Sequence, residues 1–243
     1  MVRYKRHHIA GRPECDKYPI LDNDDNELIR NDGSSIEFRG MLRVDLNKSE
    51  DARKNVHVIM MNPSAADSDE SDGTINKVIK FFVEGYDEEG YESSYQEIID
   101  SIKYLNVFNI LPIYNPNNDV LFDDFNTIIS ECGKGYLEAL LEENIQRIIE
   151  TLKDDSTDYI VLAWGGISDG FPFTLYYHLV CKVLDSLITS EKELFVFKTK
   201  SFAREDQDTL TLQFNPRHPR GCNLYDLVPV EVQSLYRIIP LEP

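Results

Sequence analysis

The chain has 243 residues and carries 43 Asp and Glu against 25 Lys and Arg, a formal net charge of −18, which excludes a general affinity for phosphate backbones except where cations gather locally. With 42% apolar and 28% charged residues, the composition suits a globular protein with a sizeable core, and no apolar stretch approaches the length that spans a bilayer. The N-terminus is basic (Arg3, Lys5, Arg6, His7, His8) but lacks the apolar core of a signal peptide, and Cys15, Cys132, Cys181 and Cys222 show no C-x-x-C spacing; the expectation is a cytoplasmic protein with reduced thiols, no metal site and no cofactor.

Along the chain, residues 36–46 partly alternate apolar with polar and predict an antiparallel edge strand with one wet face. Four apolar runs then each end in a small polar cluster. Val56–Met61 leads into Asn62-Pro63-Ser64, Leu105–Phe108 into Asn109, Tyr159–Ala163 into Trp164-Gly165, and Thr209–Phe214 into Pro216-Arg217-His218-Pro219. Such runs read as strands buried on both faces, and ligands collect outside the carboxyl ends of strands in open α/β sheets.

Between the runs, Ile75, Val78, Ile79 and Phe82 follow helical spacing, with Asp72 or Thr74 as the cap. Residues 83–95 read as a loop, 95–103 as a short helix, and the Pro- and Asn-rich 112–118 as a second loop. A long amphipathic helix is expected over 134–153 and another beneath the stripe from Leu175 to Ile188. Residues 194–198 form a further short apolar run, with 209–214 as its continuation or hairpin partner. The alternation predicts one α/β domain: an extension with edge strands over 1–50, a core over 56–220 and a C-terminal segment over 221–243. The core is expected to be a three-layer sandwich around a mainly parallel four-stranded sheet.

The chemistry at the strand ends is that of amides and one imidazole. An Asn-Pro turn stiffens the loop and leaves the Asn62 amide to hydrogen-bond across a crevice; Asn109 offers the same from the next strand. Either amide also serves to satisfy loop backbone groups, but two at adjacent strand ends favour reading a nucleobase edge. His218, between Arg217 and Pro219, is suited either to a turn or to donating a hydrogen bond to an oxygen that gains charge as a bond breaks. Asp67 and Asp72 are the nearest carboxylates, with an Asx-turn and a helix cap as their alternative roles. Carboxylates crowd residues 66–100, whereas Lys198, Lys200, Arg204, Arg217 and Arg220 gather near the last cluster.

Together, Met60-Met61-Asn62-Pro63-Ser64-Ala65-Ala66-Asp67, Asp72-Gly73-Thr74-Ile75, Asn106–Asn109, Ala163-Trp164-Gly165, Lys198-Thr199-Lys200 and Pro216-Arg217-His218-Pro219 resemble the signature of an uncharacterised bacterial and phage family over about residues 56–220. More distantly, the order of elements is similar to the uracil-DNA glycosylase superfamily. That resemblance implies that Asn62 or Asp67 positions a water and that His218 stabilises the departing base. It implies that Asn109 reads the base, with Pro63, Ser64, Trp164 and Gly165 beside it, and that Lys198, Lys200, Arg217 and Arg220 hold phosphate. Arg220-Gly221 departs from the Ser-Pro that closes the superfamily's last motif. The implied activity is hydrolysis of an N-glycosidic bond in DNA or a nucleotide, and the implied partner is nucleic acid or nucleotide. Two other readings stay open: a nucleotide-binding or nucleobase-binding module without chemistry, and an acidic protein that mimics nucleic acid.

Overall fold

The computed structural model describes residues 2–63, 65–85, 94–115, 120–167, 172–201 and 207–241. Its centre is built from β3 (Lys54–Met60), β4 (Ile102–Asn109), β6 (Tyr159–Leu162) and β7 (Glu193–Ser201). From Val56 to Met60 every residue of β3 is buried, as a strand covered on both faces requires. Pairing is parallel between β3 and β4, β3 and β6, and β6 and β7.

Antiparallel strands flank this centre on both sides. On one side lie β2 (Glu37–Asp45) and β1 (Glu14–Pro19); on the other lie β9 (Cys222–Gln233) and β10 (Arg237–Pro240). The short β5 (Ile113–Tyr114) joins β2, and β8 (Gln207–Asp208) joins β7. The sheet of the described residues is thus mixed and ten-stranded, in the order β1-β2-β4-β3-β6-β7-β9-β10 with β5 and β8 at its margins. It is wider than the expected four-stranded core with an N-terminal antiparallel edge strand or hairpin.

Helices cover both faces. Buried side chains of α3 (Leu121–Cys132), α4 (Lys134–Lys153) and α5 (Phe173–Leu187) pack with Ile59, Phe108, Leu162 and Val196 on one face. On the other face, α1 (Gly73–Glu84) and α2 (Gln96–Ser101) meet Val58, Val107, Val161 and Phe197. Alternate residues along each strand feed the two clusters, because successive side chains point to opposite faces. Asp72 caps α1 by accepting from the backbone N–H groups of Thr74 and Ile75. Gly85 closes the helix at φ 68°, a conformation glycine adopts without strain.

The expected strand at 209–214 is not formed. Leu210 bridges Pro216, Thr211 N–H bonds to Asn215 O, and Phe214 sits at φ 59°, so this stretch turns back on itself. The antiparallel partner of β7 at its end is β8 instead, and His218 lies in the segment leading into β9. The helix α3 and the strands β9 and β10 were not expected, whereas β1 falls within the edge strands expected over 1–50. Parts of the predicted 83–95 and 112–118 loops, including Pro116, Asn117 and Asn118, lie outside the described residues.

Candidate functional site

Because β2 and β9 run antiparallel to their neighbours, their first residues lie at the same rim as the last residues of β4 and β7. That rim collects Arg39, the 61–72 segment, Asn109, Gly165 and His218.

Arg39 arrives there by a register shift. Lys17 pairs with Arg39 and Asp16 with Met41, which leaves Gly40 as an extra residue in β2. Such a bulge flips the side-chain alternation, so Phe38 and Leu42 fall in opposite clusters. A Cβ at Gly40 would strike the Arg147 guanidinium and the Asp16 carboxylate, which pair above it. The Arg39 side chain is consequently driven inward and is 1% exposed.

Its guanidinium donates to Ala66 O at 2.5 Å and to Asn109 Oδ1 at 2.7 Å. No carboxylate forms an ion pair with it among the described residues, and burial lowers its pKa. A buried cation whose direct partners are neutral oxygens is costly. Asn109, also 1% exposed, has its amide orientation dictated by this contact. Oδ1 is consumed, and Nδ2 is a buried donor without a partner among the described residues. The Asn109 backbone carbonyl accepts from Asn144 Nδ2 of α4 at 2.9 Å.

His218 occupies the other side of the rim. Its Nδ1 accepts the Arg220 backbone N–H at 3.0 Å, which leaves the proton of the neutral ring on Nε2. Burial and the Arg220 guanidinium push its pKa down to about 4; Asp72 opposes them and Lys77 adds to them. Gly165, at φ 72°, permits the approach: a Cβ there would lie 2.8 Å from His218 Cβ. Gly165 N–H also bonds to Pro216 O at 2.9 Å, and Lys77 of α1 donates to Pro219 O at 2.8 Å. The loop bearing His218 is thereby tied to both β6 and α1. Asp72, at the mouth of α1, is the carboxylate whose charge reaches both Arg39 and His218.

Other candidates are placed less suitably. Both oxygens of Asp67 are engaged: Oδ1 accepts from Asp69 and Glu70 N–H at 2.9 and 3.0 Å, and Oδ2 from Lys17 at 3.1 Å. Burial works to raise its pKa, but these bonds outweigh it and hold the carboxyl below its ordinary value. Asn62 is buried, with Nδ2 donating to Pro63 O at 3.3 Å, and Pro63 is buried beside it. Trp164 packs toward α4 and α5 and lines a cavity of about 430 Å3 with Tyr177, Phe214 and Asn215.

Lys198 and Lys200 stand on β7, Lys200 over the Tyr225 ring. Arg217 Nε donates to Leu210 O at 3.2 Å, and Arg220 is exposed. Ser64 and Arg204 lie outside the described residues. Among those described, no group of three or more His, Cys, Asp or Glu is arranged to hold a metal ion, and no helix is long and apolar enough to cross a membrane.

Sequence reasoning overlooked Arg39, Lys77 and Asn144. Asn144 left a signal, since it interrupts the buried stripe of α4 between Leu141 and Ile145; Arg39 left only the Gly that follows it. Neither the comparison with curated proteins nor that with solved structures returned a match. A family model does match, over residues 41–219, starting earlier than the expected residue 56 and taking in Met41–Asp45 of β2. The chain therefore belongs to the family described as protein of unknown function (DUF1643).

Proposed function

We propose that the rim at the ends of β3, β4 and β6 binds a nucleobase and that the protein is a glycosylase-like hydrolase of an N-glycosidic bond, in DNA or in a nucleotide. The observation that carries this reading is His218: neutral, its Nδ1 occupied by the Arg220 N–H, and its Nε2–H making no hydrogen bond to a described residue. As the glycosidic bond breaks, its electron pair passes to the base, and the Nε2–H donates to the base oxygen that gains charge. The sugar becomes oxocarbenium-like and a water completes the substitution. Asn109 supplies a second donor, Nδ2, fixed by Arg39. Asn62 is the amide nearest the strand end that orients the water, since the Asp67 carboxylate is spent on its own turn and on Lys17.

The test is base release, followed by chromatography, from oligomers bearing uracil, mismatches or modified cytosines and from nucleoside monophosphates. Release is expected with the wild type and a loss of about 10²–10³-fold in His218→Ala. Activity that survives both His218→Ala and Asn109→Ala removes the assigned roles. The engaged state of Asp67 also supports a second reading, a nucleobase-binding module without turnover. Thermal stabilisation by a nucleoside with no base released would select it.

A further inference from the structure

We infer that the N-terminal arm, residues 2–13, is a phosphate-binding rail that holds a single nucleic-acid strand beside the rim. The inference rests on the nucleobase reading of that rim and locates the charge that holds its substrate.

The sequence sets the arm apart. Arg3, Lys5, Arg6 and Arg12 precede the first carboxylate, Glu14, in a chain whose net charge is −18. The structure fixes its course. Ser71 N–H bonds to Val2 O at 2.8 Å, Asn76 Nδ2 to Arg3 O at 3.2 Å and Tyr4 Oη to Asp67 O at 2.6 Å, while Ala10 N–H reaches Asp45 O at 2.8 Å. The arm therefore runs beside the 67–76 segment, which carries Asp72 and the start of α1. Tyr4 is buried and, with its hydroxyl on Asp67 O, lines the inner side of a surface cavity.

That cavity, of about 620 Å3, is also lined by Arg3, Arg6 and Arg12 together with Ser68, Asp69 and Glu70. Its two carboxylates are outnumbered by three guanidinium groups, and Asp69 is already paired with Arg12 at 2.8 Å. The guanidinium groups of Arg3 and Arg6 make no hydrogen bond or ion pair with a described residue. Exposed, unpaired guanidinium groups on an anchored backbone suit phosphate oxygens, which they bind in a bidentate manner. The acidic remainder of the surface repels a second strand, and a base enters a pocket only when unstacked. One strand is thus the fitting ligand. The arm also precedes residue 41, where the family match begins, so it is a feature of this chain outside the matched stretch.

The experiment follows the anisotropy of a fluorescein-labelled dT12 oligomer with the full chain across a sodium chloride series. Salt-dependent binding is expected. In the Arg3→Gln/Arg6→Gln double variant, the slope of log K against log salt should fall by about 1.4, at about 0.7 per lost contact on a single strand. A Lys134→Gln/Lys153→Gln variant on α4, with the same change in net charge, should keep the wild-type slope. Both variants alter exposed side chains, and an unchanged melting temperature checks that they fold. A wild-type slope in the arm variant, or no binding of dT12 at low salt, overturns the inference. Base release with an unaltered KM in the arm variant overturns it while leaving the glycosylase reading standing. Arm-dependent binding without base release does the reverse.

Discussion

At the scale of single residues, Arg39 sets the character of the rim. Its charge is buried with two neutral oxygens as partners, and the same contact converts Asn109 from a two-sided amide into a donor. Asn109→Asp places a carboxylate opposite the guanidinium without a change of shape. The variant is expected to be more stable than wild type by about 1.5–3 kcal/mol in urea denaturation, the range for a hydrogen bond to a charged group. A loss of stability would mean that Asp72, whose charge already reaches Arg39, balances it sufficiently. Bidentate reading of a base edge, which the sequence suggests for Asn109, is closed off in this arrangement, because Oδ1 is occupied; a ligand must offer Asn109 an acceptor.

At the scale of elements, the site depends on two helices approaching the rim from opposite faces. The helix α1 begins at Asp72, whose cap satisfies two of the backbone N–H groups left open at a helix start. Asp72→Ala is expected to cost about 0.5–2 kcal/mol, measured by chemical denaturation. From the other face, Asn144 of α4 donates to the carbonyls of Asn109 and Ile110 at 2.9 and 3.3 Å. These carbonyls belong to the chain as it leaves β4, where ladder partners run out. An amide in the apolar stripe of a helix thus replaces the missing sheet, and the backbone beneath Asn109 is held from behind.

For the whole molecule, burial of neutral histidines makes folding dependent on pH. His57 lies in β3, stacked on Phe108, with its pKa pushed down to about 4 by burial, Asp158 opposing. A depressed folded pKa contributes stability that is present above the ordinary value of 6.5 and is lost as pH falls through the folded value. Between pH 6.5 and about 4 this group should cost about 1.4 kcal/mol per pH unit. His57→Phe is expected to flatten the stability curve over that window by one proton, with denaturation midpoints measured at half-unit steps. An unchanged slope would show that the imidazole does not take up its proton on unfolding.

Much of the fold was legible because buried strands and amphipathic helices write their periodicity locally. The runs at 56–61, 105–108 and 159–163 and the helix at 134–153 fall where the pattern puts them, and of the two expected caps, Asp72 and Thr74, it is Asp72 that caps α1. The run at 209–214 misled because alternation alone does not say whether a neighbouring strand edge is available: β9 takes one edge of β7 and β6 the other as far as Val196, leaving β8 only the short stretch beyond β6 at Thr199 and Lys200. His218 and Asn109 could be singled out from their place after apolar runs, but their states could not. The donor-only amide of Asn109 comes from Arg39, 70 residues away in sequence, and the neutral ring of His218 from burial beside Gly165 and Lys77. The sequence by itself determined the alternating elements, the acidic charge and the polar clusters at the strand ends, since these depend on near neighbours. Only the tertiary structure decided which charges are buried, which amide oxygens are spent and that the basic arm lies beside the rim, because those depend on groups brought together across the sheet.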